Sequence, residues 1–190
     1  MDNRFEIETG RLTLIKPEPS DLDQLLLLLQ NPLMTMYREF SFSKSEVEEL
    51  IKSSKESIET GSVGLRLVLK KNTNELIGFG GVKKSFIQND MIYAAFMYLH
   101  PDCCGLGYGK EALSATINDA FNHDKIDKIH SFIGFANYSM QYLLESLGFL
   151  KIGDETINLD YNIVSRAHYI LEKETKSDIL INNDFFFPLM

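Results

Sequence analysis

His100-Pro101-Asp102-Cys103-Cys104-Gly105-Leu106-Gly107-Tyr108-Gly109-Lys110-Glu111-Ala112-Leu113 joins an apolar, strand-like run to an amphipathic, helix-like one. Glycines at 105, 107 and 109 let the backbone turn sharply there and bring bare N–H groups against a ligand. The first N–H groups of the helix behind them lack intrahelical partners and carry partial positive charge, so the junction favours an anion. It reads as a phosphate cradle, or as a glycine-rich turn with no ligand. Two nucleotide cradles fail on spacing. A Walker loop requires G-x-x-x-x-G-K-[ST]; Gly109-Lys110 fits, but Cys104 stands at the first glycine and Glu111 at the magnesium-binding hydroxyl. A dinucleotide G-x-G-x-x-G would need glycine at 110 or 112, where the chain has Lys110 and Ala112.

The rest of the chain is organised around this junction. Met91–Leu99, just upstream, is an almost wholly apolar run suited to a central strand, with Asp90 a turn residue before it. Asn72-Thr73-Asn74 supplies hairpin chemistry between strands over about 63–71 and 75–83, and Gln88-Asn89-Asp90 marks a further turn. Arg11–Lys16 alternates as a strand until Pro17 and Pro19 break it. Ser20 with Asp23 resembles a capping box for a leucine-rich helix over about 21–30, ended by Asn31-Pro32. Ser43 with Glu46 opens a second helix, which reaches about Glu59 and is closed by Gly61.

Downstream, the pattern predicts a helix over about 107–122, a strand over about 129–136 and a helix over about 138–147 closed by Gly148. Strands near 149–153 and 163–172 follow. This order predicts an α/β (α+β) layered domain with a mixed sheet. A single domain is expected over 1–173, with a C-terminal tail over 174–190. The tail's apolar end, Phe185 to Met190, is expected to fold back on the core.

The 190 residues are 44% hydrophobic and 24% charged, ordinary values for a globular chain that can bury a core. A net charge of −8 and a pI near 5.0 argue against nucleic acid as a partner. Such a balance suits a cationic partner, or is the plain acidity of many cytosolic proteins. The two cysteines, Cys103 and Cys104, are adjacent and have neither disulfide nor zinc spacing, so reduced thiols, a cytoplasmic location and no metal are expected. No signal segment is visible from Met1 to Glu6, and Leu25–Leu29 is too short to span a membrane, so no membrane association is expected.

Three segments, in order, resemble the GNAT superfamily of acetyl-CoA-dependent N-acetyltransferases, and together they cover about residues 6–172. Cys104 to Gly109 is similar to the family's [QR]-x-x-G-x-[GA] pyrophosphate loop, with Cys104 in place of Gln or Arg. Its surroundings, Tyr98-Leu99-His100-Pro101 and Gly107 to Leu113, resemble the branch that acts on ribosomal-protein N-termini. Asn137 to Phe149 matches N-x-x-S-x-x-x-x-E-x-x-G-F in outline, and Glu8 to Leu14 is similar to that branch's first strand.

The resemblance implies a mostly antiparallel mixed sheet of about seven strands flanked by about four helices. It implies acetyl-CoA as acyl donor, with the pyrophosphate on backbone N–H groups of Cys104, Gly105, Leu106, Gly107, Tyr108, Gly109 and Lys110. Met97, Tyr98 and Leu99 would pair their backbone with the pantetheine amides where the sheet splays at a bulge. Asn137 would bond the pantetheine arm, cap a helix, or do both.

The implied reaction is attack of a primary amine, on a protein N-terminus or a small cationic molecule, upon the thioester. It requires a base and donors to the developing oxyanion. Here the chain departs from the family. The helix positions that commonly carry a catalytic serine or tyrosine hold Met140 and Leu144, which share a face expected to look at the CoA sulfur. The strand carboxylate common in the branch is absent from Ala94-Ala95-Phe96. Ser139, Tyr142 and Glu39 are the remaining candidates for catalysis, with Tyr37 and Tyr98 as uncommitted aromatics. The alternative function is a catalytically silent acyl-CoA-binding or scaffolding module, and a thiol-based variant using Cys103 or Cys104 stands behind both. A monomer or a homodimer is expected.

Overall fold

The computed structural model describes residues 6–35, 41–87, 90–122, 126–159 and 162–174. In chain order the elements are β1 (Ile7–Glu8), β2 (Leu12–Ile15), α1 (Leu22–Leu29), α2 (Pro32–Thr35), α3 (Lys44–Glu59), β3 (Leu65–Lys70), β4 (Leu76–Ile87), β5 (Asp90–Leu99), α4 (Tyr108–Asn122), β6 (Lys128–Ile133), α5 (Tyr138–Ser146), β7 (Leu150–Leu159) and β8 (Asn162–Glu172). The strands form one eight-stranded sheet in the order β1-β2-β3-β4-β5-β6-β8-β7. Every neighbouring pair is antiparallel except β5–β6. This is the mixed, mostly antiparallel sheet the sequence predicts, flanked by α1, α3, α4 and α5, with α2 a single extra turn.

The eighth strand is β1. It folds back on β2 through the pairs Ile7↔Leu14 and Glu8↔Thr13, and two residues are too few to show a period. Strands β4 and β7 also run past their expected ends at 83 and 153. The added stretches contain Lys84-Ser85 and Asp154-Glu155-Thr156, polar residues that pair across hairpins without an apolar alternation to reveal them.

Helices cover both faces of the sheet. On one face α4 and α5 bury Leu113, Ile117, Met140 and Leu144 against Ile129, Phe149 and Tyr169. On the other, α1 and α3 bury Leu25, Leu29, Val47 and Ile51 against Leu65, Leu67 and Phe79. Each such side chain contributes about 1.5–3 kcal/mol by leaving water.

The capping box at Ser43 and Glu46 forms as read, with Ser43 Oγ accepting from the Glu46 N–H and Glu46 Oε2 from the Ser43 N–H. The box expected at Ser20 and Asp23 does not form. The chain enters helical geometry earlier, in a 3₁₀ turn over Pro19–Asp21, and Glu18 with Asp21 makes the reciprocal pair. Pro19 is the physical reason: its fixed φ starts the turn and leaves Glu18 before it extended. Gly61 and Gly148 close α3 and α5 where expected. The turn residues Gln88 and Asn89 and the tail beyond Glu174 lie outside the described residues.

Candidate functional site: an open strand edge above a clipped glycine loop

The two parallel strands meet at one rung, Ala94↔His130, and pair no further among the described residues. Beyond it the carbonyl of Ala95 accepts the Ser131 hydroxyl at 3.0 Å, so a side chain takes a group that a continuing ladder would have given to backbone. The β5 edge past that point faces a gap. Which groups face it follows from the pairing with β4. The His100 N–H donates to the Ile77 carbonyl, and antiparallel pairs alternate between bonded and outward-pointing. Counting back through the register, Tyr98 turns its peptide groups toward β4, whereas Met97 and Leu99 turn theirs into the gap.

The splay was expected at a bulge, and there is none between β4 and β5: the register runs unbroken from Gly78↔Leu99 to Ile87↔Asp90. On its other edge β5 lies close against glycines of β4. A Cβ on Gly80 would stand 2.6 Å from the Phe96 carbonyl oxygen, and one on Gly78 2.8 Å from that of Tyr98. Only bare backbone fits against β5 here.

At the mouth of the gap the chain passes through a 3₁₀ turn (Pro101–Cys103) into the glycine loop and then α4. Gly105 and Gly107 have φ of 75° and 82°, the left-handed region that disfavours any side chain. Gly109 is helical, and a Cβ there would meet the side chains of Leu143 at 3.5 Å, Leu99 at 3.9 Å and Met97 at 4.0 Å, ordinary contacts. The loop is held from outside by the first strand's approach. Glu111, in the first turn of α4, accepts from Thr9 Oγ1 (2.6 Å), the Arg11 N–H (2.7 Å) and Arg11 Nε (2.7 Å). Arg11 Nη1 also reaches the Leu106 carbonyl at 3.0 Å, and its guanidinium lies 4.4 Å from the centre of the Tyr108 ring. Burial pushes the Glu111 carboxyl up, but the bonds from Thr9 and Arg11 outweigh it and hold the group below its usual value. Segments 100 residues apart in sequence thus fix one loop.

The expected residues fall into distinct places. Cys104, Leu106 and Lys110 are exposed along the loop, while Cys103 is buried among Leu12, Leu14 and Ala112. Burial, with Cys103 beside it, pushes the Cys104 thiol up, which is opposite to what a thiolate nucleophile needs. Asn137 caps α5, its Oδ1 accepting the Met140 N–H at 3.1 Å. Met140 and Leu144 are buried, Leu144 fully, and pack with Leu113 and Phe149 in the cluster that also holds Ala95 of β5. An apolar side chain at either position gains more from that core than from a wet cleft. Ser139 and Tyr142 lie on the exposed side of α5, with Tyr142 75% exposed. Glu39 and Tyr37 lie outside the described residues. Arg11, Thr9 and Ser131 carried no role in the sequence reading, although Arg11 and Thr9 lie inside one of its quoted segments.

A parallel pair that opens past one rung, with an anion-favouring loop at its mouth, defines a fold of the acyltransferase class. The Acetyltransferase (GNAT) domain family matches residues 11–150, and the chain belongs to that family. No curated protein matches the sequence. Solved structures share the fold at low identity. The GNAT-family acetyltransferase of Bacillus anthracis is 19% identical with a TM-score of 0.72, covering 90% of this chain and 99% of its own. The ribosomal-protein-S5-alanine acetyltransferase of Vibrio fischeri is 17% identical with a TM-score of 0.71, covering 89% and 97%. The aminoglycoside acetyltransferase AAC(6')-Ib, solved with coenzyme A, is 16% identical with a TM-score of 0.68, covering 88% and 98%. No described helix is long and apolar enough to cross a membrane.

Proposed function

We propose that the protein transfers an acetyl group from acetyl-CoA to a primary amine by direct attack in a ternary complex. The observation that carries this is the outward-facing backbone of Met97 and Leu99, followed through one 3₁₀ turn by the Gly105–Gly109 loop. An acyl donor with a peptide-like arm and an anionic end matches both halves of that surface. The arm's amides add to β5 as a strand would. The pyrophosphate rests on N–H groups from Cys104 to Lys110 at the start of α4. Asn137 keeps its Nδ2 for the arm while its Oδ1 caps α5. The acceptor is a protein N-terminus or a small cationic amine, which the net charge of −8 suits, in a cytoplasmic setting. The working unit is the single domain over 1–173, as a monomer or a homodimer.

A second reading is a silent acyl-CoA-binding module. The burial of Met140 and Leu144 favours it, because no hydroxyl on that face of α5 is left to protonate the leaving sulfur. Calorimetry with acetyl-CoA, followed by thiol release over a panel of N-terminal peptides, polyamines and aminoglycosides, separates the two. Binding with turnover on one amine class is the expected result. Binding without turnover on any supports the silent module, and an absence of CoA binding removes both.

A further inference from the structure

We propose that His130 is the general base of this transfer, held in its working tautomer by His168 and Glu155; the role rests on the acetyltransferase reading above. Along β6, Ile129, Ser131 and Ile133 are buried under α4 and α5, so His130 projects from the opposite face. Its place is the rung with Ala94, the apex of the splay. Phe96 and Tyr98 follow Ala94 on that same face of β5, with Tyr98 edge-on to Phe42 at 5.3 Å between ring centres. A donor whose anionic end sits at the glycine loop must run its arm back along β5. From Leu99 to Ala95 the strand covers about 13 Å, and Ser131 closes the gap at its end. The reactive end of such a donor therefore arrives beside His130.

A hydrogen-bond chain decides which nitrogen is free. Glu155 Oε1 lies 3.0 Å from His168 Nδ1, and His168 Nε2 lies 2.9 Å from His130 Nδ1. An ionised carboxylate can only accept, so His168 carries its proton on Nδ1 and offers a lone pair at Nε2. The His130 Nδ1–H then donates to that lone pair, which leaves His130 Nε2 bare, and no described residue bonds it. This is the logic of a base oriented by a second group and backed by a carboxylate.

The array is rigid. His168 is 6% exposed and stacks on Phe132 with ring centres 4.3 Å apart. Lys128, bonded to Glu172 at 3.0 Å, and Arg166 line the same face of β6 and β8; Lys83 of β4 lies over the Phe96 ring at 5.3 Å. Burial first, then His168 and Lys128, hold His130 below the ordinary histidine value, against the opposing pull of Glu155. It is therefore neutral, and able to accept a proton, at pH 7.

In the step itself the acceptor ammonium gives one proton to His130 Nε2. The nitrogen lone pair forms the N–C bond to the thioester carbonyl, and the C–S bond breaks. The second nitrogen proton goes to the departing sulfur, and His130 returns its proton to solvent. The charge held meanwhile on His130 can pass through Nδ1 to His168, beside Glu155.

The test uses the full chain and whichever amine of the panel it acetylates. His130→Gln is expected to lower kcat by about 10²–10⁴, with acetyl-CoA affinity by calorimetry within twofold of wild type. Glu155→Gln is expected to retain more activity and to move the acidic limb of the kcat–pH profile to lower pH, because the carboxylate no longer supports the imidazolium. Imidazole added to His130→Ala is expected to restore part of the rate. A His130→Gln protein with wild-type kcat and an unchanged acidic limb overturns this role and leaves the acetyltransferase reading standing. A wild type that binds acetyl-CoA and acetylates nothing overturns both.

Discussion

The two faces of β5 at its C-terminal end are built by opposite means. The side that opens toward the glycine loop is made of backbone: peptide groups of Met97 and Leu99, left-handed glycines at 105 and 107, and bare glycine in β4. The side that carries His130 is made of side chains drawn from β5, β6, β7, β8 and the segment before α3. A backbone surface suits a ligand that never changes, because any side chain there obstructs it. A side-chain surface can be rewritten one residue at a time, which is what a variable acceptor requires. One half of the molecule is therefore constrained by conformation, the other by chemistry.

That contrast can be broken at three places. Gly107→Val strikes the conformational half hardest. A β-branched residue at φ 82° costs about 1–2 kcal/mol, and its Cβ would stand 3.2 Å from Arg11 Nη2. Acetyl-CoA affinity is expected to fall about five- to thirty-fold as the loop's competent population shrinks, with kcat at saturation little changed. A large fall in kcat instead would mean that the loop takes part in the chemistry. Leu144→Tyr comes next. It restores the family's hydroxyl, but into a fully buried site. Overpacking is expected to cost about 1–3 kcal/mol and lower Tm by roughly 2–4 °C for each, without raising turnover. A gain in turnover would show that α5 opens toward the cleft during the reaction. Cys104→Gln should do least. The side chain is exposed and the cradle is backbone, so acetyl-CoA affinity is expected to stay within about threefold of wild type. A larger change would move this position into the side-chain half.

The same contrast explains what could be read from the sequence. The loop was legible because positive φ demands glycine, and glycines at fixed spacing stand out in a single chain. Helices α3 and α5 were legible from their caps and closing glycines, α4 from its amphipathic pattern behind the glycines, and the central strand β5 from its apolar run. The Glu155–His168–His130 array was not. Its members come from three strands and meet only through the register of β6, β7 and β8, which no local pattern records. Met140 and Leu144 were placed on the right face of the helix, but that face meets the core. Helical spacing says which residues point together and not what they point at. Gly78 and Gly80 resemble ordinary strand residues until β5 is laid against them.

The bonds between Arg11 and Glu111 also bear on how the molecule is made. Their partners are 100 residues apart, so during synthesis the N-terminal segment waits for more than half the chain before it can close on α4. Contacts of such long sequence separation are reached late, after local helices and hairpins have formed and reduced the cost of bringing the ends together. The loop is therefore expected to acquire its final shape late in folding, which hydrogen exchange during refolding would check. A partly unfolded chain is then expected to bind acetyl-CoA weakly even where its helices have formed, so that donor binding would report on completion of the domain.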